Sequence, residues 1–180
     1  MLEKELIIKC KNGDGEAFRY LMLNYKNKLF GYLWRFGKDQ FHTEEMFQET
    51  LIKVWKGISN YNDKNKFSSW LFTIAHNVAI DYIRKKNLIL SVNIDTLKSN
   101  PTQNIHDDKF IQKETVNLII EAVDILSEKQ KRVFLLRQHG ELSFKEIAKI
   151  TNEPLNTVLS HMNYAVKKIR KQLEVKYELR

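Results

Sequence analysis

Cysteine and proline are nearly missing from this chain, and each shortage excludes something. A single cysteine, Cys10, rules out an internal disulfide, and no Cys or His stands beside it at metal-ligand spacing. It is read as a small core residue. Two prolines and six glycines in 180 residues leave few helix breakers. No apolar run approaches the roughly 20 residues that cross a bilayer. The opening MLEKELIIKCKNGD alternates charges with aliphatics and lacks the apolar stretch and small-residue cleavage site of a secretion signal. A cytoplasmic protein with no membrane insertion is expected. The five histidines, His42, His76, His106, His139 and His161, are scattered, and no nucleophile, metal set or phosphate loop accompanies them. The enzymatic reading therefore has little support: no catalytic residue, metal ligand or cofactor is expected. Internal repeats and low-complexity tracts are absent as well.

What remains is 43% hydrophobic, enough for one ordinary core or two small ones, with a formal charge of +8. A basic balance suits a polyanionic partner without requiring one. Residues 1–86 hold fifteen basic against ten acidic side chains, 87–113 three against three, and 114–180 twelve against nine. The two ends are basic and the middle is neutral.

Apolar residues recur at three- and four-residue spacing, which predicts an all-α protein. Four helices are expected first, at about 2–12, 15–37, 42–58 and 67–86. Asn12-Gly13-Asp14 makes the first turn, with Asp14 capping the second helix, and SNYNDKNK (59–66) is a polar loop. From Asn87 to Lys113 the periodicity fades and Asn, Ser, Thr, Asp and Pro101 collect, as in a flexible linker. Two small helical domains follow, 1–86 and 114–180, joined by 87–113.

In the second domain, LSFKEIAKITNEPLNTVLSHMNYAVKKIRKQL carries the breakers of a helix-turn-helix in order. Ser143 and Glu146 form a capping box before a short helix, Phe144 to Ile150. Ala148 is small where a helix must cross, Asn152 tolerates a left-handed turn, and Pro154 suits the start of the next helix. Val158, Met162, Ala165, Ile169 and Leu173 then share a core face, while Asn156, Ser160, Asn163, Tyr164, Lys167 and Lys171 stand opposite. Short polar groups followed by basic ones suit base edges framed by phosphates; a solvated face on a helical hairpin is the plainer alternative.

Two helices of the first domain carry residues that a core does not need. In HTEEMFQETLIKVWKGI, Phe47, Leu51, Val54 and Ile58 form the expected buried stripe, and Glu45, Gln48, Glu49 and Ile52 the outward arc. An isoleucine among carboxylates suits a protein partner, although single exposed aliphatics are common. In FSSWLFTIAHNVAIDYIRKK, Leu71, Ile74, Ala75, Val78, Ala79 and Tyr82 form the apolar arc. Trp70, Thr73, Asn77, Asp81 and Arg84 lie opposite, with His76 and Ile80 at the edge. An aromatic, amides, hydroxyls and a basic end are parts that stack unpaired bases and hold phosphates. The competing account has Trp70 closing the core, Asp81 pairing with Lys85 and Asn77 solvated.

Taken together, these segments resemble the sigma-70 family, and within it the short two-domain extracytoplasmic function sigma factors. Asn12-Gly13-Asp14 before Ala17-Phe18 is similar to the family's opening turn. EEMFQETLIKVW is similar to its core-polymerase-binding helix, with Glu45, Gln48, Glu49 and Trp55 at matching places. WLFTIAHNVAIDYIRKK resembles its promoter-melting helix, and the helix-turn-helix its reader of the upstream promoter element.

The resemblance implies a region 2 domain, a region 4 domain, and a dissociable specificity subunit of bacterial RNA polymerase. Glu45, Gln48, Glu49 and Ile52 would dock on the core enzyme. Asn62 and Lys66 in the loop, with Trp70, Thr73, Asn77, Arg84 and Lys85, would melt the downstream element and hold its flipped single-stranded bases. Asn156, Thr157, Leu159, Ser160, His161, Asn163, Tyr164 and Lys167 would read the duplex upstream element. An anti-sigma factor is a further partner implied by the family. Two departures stand out: the family usually has glycines at Asn152 and Asn156, and basic residues at Leu159 and His161. Weaker phosphate clamping follows, with Leu159 free to touch a thymine methyl. The alternative from another class is a stand-alone helix-turn-helix repressor or activator with a helical dimerisation or sensing domain.

Overall fold

The structure, a computed structural model, describes residues 2–62, 66–92 and 121–178. The chain divides into two units, Met1–Pro101 and Thr102–Arg180. All regular structure among the described residues is helical. The first unit contains α1 (Glu3–Lys11), α2 (Gly15–Leu23), α3 (Lys26–Gly37), α4 (Gln40–Gly57), a 3-10 turn at Ile58–Asn60, and α5 (Phe67–Val92). In the second, a helical turn at 121–124 precedes α6 (Glu128–Gly140), α7 (Phe144–Thr151) and α8 (Leu155–Glu178). No described helix is long and apolar enough to cross a membrane.

The helix expected over 15–37 is two helices. Tyr25 keeps near-helical angles, φ −109° and ψ −10°, so apolar spacing runs through the break without a breaker residue. Packing imposes the turn: the Tyr25 hydroxyl donates to the Glu3 carboxylate, and its ring lies 5.5 Å from Phe67. The expected N-terminal signals are present. Gly13 takes φ 85° in the first turn, and Asp14 caps α2 by accepting from Ala17 N at 3.0 Å. Cys10 is buried, and burial, with Asp14 nearby, pushes its thiol above the ordinary range.

Helices α3, α4 and α5 pack on one another around Tyr32, Leu33, Val54, Leu71 and Phe72. The buried stripe of α4 is rotated from the expected one. Val54 and, beyond the helix, Ile58 are buried, but Phe47 and Leu51 are only half-buried, and Thr43, Met46 and Thr50 take the inner positions. The threonines are tolerated there because each hydroxyl donates to its own helix: Thr43 to Asp39 O at 2.6 Å and Thr50 to Met46 O at 2.7 Å. Phe47 is left at the flank, 6.0 Å from Phe30.

In α5, Leu71, Ala75, Val78 and Ala79 are buried as expected, Ile74 and Tyr82 are half-buried, and the buried arc widens to include Phe72 and His76. His76, expected at the edge of the polar face, instead shares a 2.9 Å hydrogen bond with the Tyr32 hydroxyl inside the core. The helix runs six residues past its expected end at Lys86, so the first six residues of the expected linker are helical; residues 93–113 of that segment lie outside the described residues.

The second unit follows its local signals closely. Ser127 and Gln130 box the start of α6, and Ser143 and Glu146 box the start of α7, the latter with Ser143 N donating to Glu146 at 2.7 Å. Helix α7 ends at Asn152, left-handed at φ 54°, while Glu153 N returns to Ala148 O at 3.1 Å. The carbonyl of Pro154 then accepts from Val158 N at 3.1 Å, the first bond of α8. Leu136, Leu142, Ile147, Val158 and Ala165 close the core between the three helices.

Candidate functional site

Three outward surfaces carry the candidate residues. The first is on α4. Asp39 caps this helix, accepting from His42 N at 2.8 Å and pairing with His42 Nδ1 at 2.6 Å. Partial burial acts to raise the Asp39 carboxyl, but the two His42 hydrogen bonds, helped by the charge of Lys86, outweigh it and hold it below the ordinary aspartate range. Because α4 begins at Gln40, two residues earlier than expected, Phe41 joins the helix. It is 71% exposed and stands seven and eleven residues before Gln48 and Ile52, hence on their face. Glu45, Gln48 and Glu49 are exposed, Ile52 is 53% exposed, and Glu49 pairs with Lys53 at 2.8 Å. Trp55 closes the arc against Phe18, edge-to-face at 5.0 Å. All four expected docking residues thus share one surface, and Phe41 extends it. Sequence reading missed Phe41 although Asp39, an aspartate three residues before His42, was the available cap signal.

The second surface is α5 and the loop before it. Trp70 is half-buried, its ring 5.1 Å from Tyr61 and 5.7 Å from Phe67. Gly57 permits this: a Cβ there would stand 3.2 Å from the Trp70 ring. The Thr73 hydroxyl donates to Ser69 O at 2.7 Å and is half-buried. Asn77, Arg84 and Lys85 are exposed, as are Asn62 and Lys66 on either side of residues 63–65, which lie outside the described residues. Asp81 lies 3.4 Å from Arg84, one residue short of the expected partner Lys85. Lys86 sits over the Tyr82 ring at 5.9 Å, and Tyr82 lies 5.4 Å from His42, tying the basic end of α5 to the start of α4. Burial, with Asp39 and Glu45 nearby, raises the Tyr82 phenol.

The third surface is α8. Val158 and Ala165 are fully buried, and Met162, Ile169 and Leu173 are half-buried. Asn156, Leu159, Ser160, Asn163, Tyr164, Lys167 and Lys171 are exposed on other faces, and Thr157 is half-buried. His161 departs from this group: its side chain is turned toward Glu153 in the turn, Nε2 to Oε2 3.6 Å. No group of three or more metal-ligating side chains occurs among the described residues.

Comparison with known proteins bears on all three surfaces. A family model described as Sigma-70 region 2 matches residues 21–89, and one described as Sigma-70, region 4 matches 117–169. The "ECF RNA polymerase sigma factor SigW" of Bacillus subtilis is 30% identical over 182 residues, covering 96% of this chain and 97% of that protein. The chain belongs to the ECF sigma factors of the sigma-70 family. A second relative, SigX of the same organism, is 29% identical over 165 residues, 89% of this chain and 85% of its own. Among solved structures, the sigma factor RpoE of Bartonella quintana, in complex with the anti-sigma factor NepR, has the same fold. Its TM-score is 0.73 at 19% identity, covering 89% of this chain and 98% of that one. Within this sigma factor, the α4 and α5 candidates fall inside the region 2 match and the α8 surface, through Lys167, inside the region 4 match.

Proposed function

We propose that this ECF sigma factor binds RNA polymerase core through α4, holds unpaired bases of the downstream promoter element on α5, and reads the duplex upstream element with α8. The observation that carries this reading is the presence of three chemically different faces, those of α4 and α8 outside the core and that of α5 at its edge. The α4 face is acidic and apolar, with Phe41, Glu45, Gln48, Glu49 and Ile52. Exposed Phe41 and Ile52 among carboxylates, on a chain of net charge +8, suit a basic protein partner. The α5 face offers an exposed amide, Asn77, between an aromatic cluster and the basic end Arg84, Lys85 and Lys86, which suits a single strand. The α8 face is polar, then basic, with its own hydrophobic stripe on the opposite side.

The region 2 domain, through residue 86, and the region 4 domain, from residue 114, act on the same promoter through the segment between them. The mechanism has no chemical step. Binding to core places α5 and α8 over DNA, and α5 favours the melted state by offering Asn77 and the aromatic cluster beside it to base edges and faces that pairing and stacking cover in the duplex. The protein works in the cytoplasm, where core polymerase is, without cofactor, catalytic residue or membrane insertion. An anti-sigma factor is the third partner in this reading.

Purified protein added to core polymerase is expected to yield promoter-specific transcripts; no transcript above that of core alone would overturn the reading. Asn77→Ala is expected to leave core binding intact and to lower permanganate reactivity of the melted strand by about tenfold, from the loss of one base-edge contact.

A further inference from the structure

The turn of the second unit holds an ion-pair chain that the promoter reading does not use. The Glu153 side chain, 17% exposed, stands between two basic groups from two helices. Lys129 Nζ of α6 lies 3.3 Å from its Oε1, and His161 Nε2 of α8 lies 3.6 Å from its Oε2. The imidazole is 20% exposed, and its Nε2 is shut off from solvent without a hydrogen-bond partner. At 3.6 Å the contact is too long for a hydrogen bond but within reach of an ion pair once the ring carries a proton.

We propose that Glu153 is a positioning residue for α8, and that His161 acts on promoter binding through Glu153, without touching DNA. On the core face of α8, Val158 and Ala165 are fully buried, one of them an alanine with little surface to grip, while Met162, Ile169 and Leu173 are half-buried. Near the start of the helix, where base edges are read, the Glu153 carboxylate fastens the turn to α6 through Lys129 and to the second turn of α8 through His161. The charged groups set against the ring are Glu153 from the turn and, behind the same carboxylate, Lys129 from α6. Lys129 and His161 thus flank the carboxylate from two helices, α6 and α8.

The proposal rests on α8 as the DNA reader, and its test separates the two. In the free full-length chain, the losses of stability in His161→Ala and Glu153→Gln, measured by thermal unfolding, are expected to be non-additive in the double variant. Additive losses would overturn the Glu153–His161 link whatever α8 binds.

For function, holoenzyme is assembled from the full chain and core polymerase, and the probe is a duplex that wild-type holoenzyme selects from a random library. Glu153→Gln is expected to weaken this duplex about tenfold with an unchanged salt slope, since no phosphate contact is removed. His161→Ala is expected to weaken it less, and the double variant no more than Glu153→Gln alone, because the two act through one link. Glu153→Asp, which keeps the charge, should recover part of the affinity. A fall of about one in the salt slope of His161→Ala would show a phosphate contact and overturn the proposal. Wild-type holoenzyme that enriches no duplex sequence would instead overturn the reading of α8 on which it stands.

Discussion

The two units of this sigma factor keep folding and function apart to different degrees. On α8, the exposed candidates Asn156, Ser160, Asn163, Tyr164 and Lys167 lie away from the buried Val158 and Ala165. On α5, Trp70 and Thr73 belong to the candidate face and to the packing at once: one ring is wedged among Tyr61, Phe67 and Gly57, and one hydroxyl is committed to Ser69 O. The face proposed to read a rigid duplex is laid over a finished core. The face proposed to receive unpaired bases is built from the edge of the core itself, so its shape and its stability change together.

Trp70→Ala breaks this comparison most severely. Removing the half-buried ring should cost about 2–3 kcal/mol, below the range for a fully buried tryptophan because part of the ring already meets water. Thermal unfolding of the first unit should fall by roughly 10–20 °C, and melting of promoter DNA should fail alongside. A normal unfolding temperature with lost melting would show that the ring serves bases alone.

How much was legible in the sequence divides along the same line. Capping boxes and turn residues act within four residues of themselves, so Ser143, Glu146, Asn152 and Pro154 were readable where they stood. The break at Asn24-Tyr25 was not, because it is made by Glu3 and Phe67, distant in sequence. Nor was the rotation of α4, since nothing local says that Thr43 and Thr50 will satisfy their own hydroxyls and displace Phe47 from the core. The candidate faces of α4 and α8 survived these errors because charged and amide residues fix the outside of a helix whatever fills its inside. The direction of His161 did not, since it depends on where a turn carboxylate and a lysine from α6 come to rest.

Glu49→Lys probes the clean surface of the first unit. Its carboxylate pairs with Lys53 across the helix surface, and reversal sets two cations where the proposed basic partner meets an acidic face. Core affinity should fall at least tenfold, about 1.4 kcal/mol, in a pull-down, with the unfolding temperature nearly unchanged. Parallel loss of stability would place Glu49 with Trp70 among the shared residues.

Asp39→Ala sharpens the contrast further, because Asp39 decides where α4 begins and therefore whether Phe41 reaches the docking face. Loss of the cap should cost about 1 kcal/mol at neutral pH. The carboxyl is held below its unfolded value of about 3.9, so its contribution is complete above that value and is lost as pH falls through the lower folded one. The gap in unfolding temperature between wild type and variant should therefore narrow as pH falls below the ordinary aspartate range, measured by circular dichroism. A gap that stays constant would mean that the charge of Asp39 plays no part in the cap.

Lys167→Ala gives the smallest expected effect and the cleanest one. Lys167 lies seven residues beyond Ser160 on the exposed side of α8, within the basic part of the helix that follows its polar start. In the proposed reading a lysine at that depth meets phosphate and not base edges, so its removal should weaken selected and unrelated duplexes alike, by about threefold at moderate salt. The slope of log affinity against log salt should drop by about one, and stability should stay within about 0.5 kcal/mol of wild type. If the selected duplex alone suffers, Lys167 reads sequence and the division of α8 into a reading start and a clamping end is wrong. If stability falls as well, α8 mixes its two tasks as α5 does, and the difference between the units is one of degree.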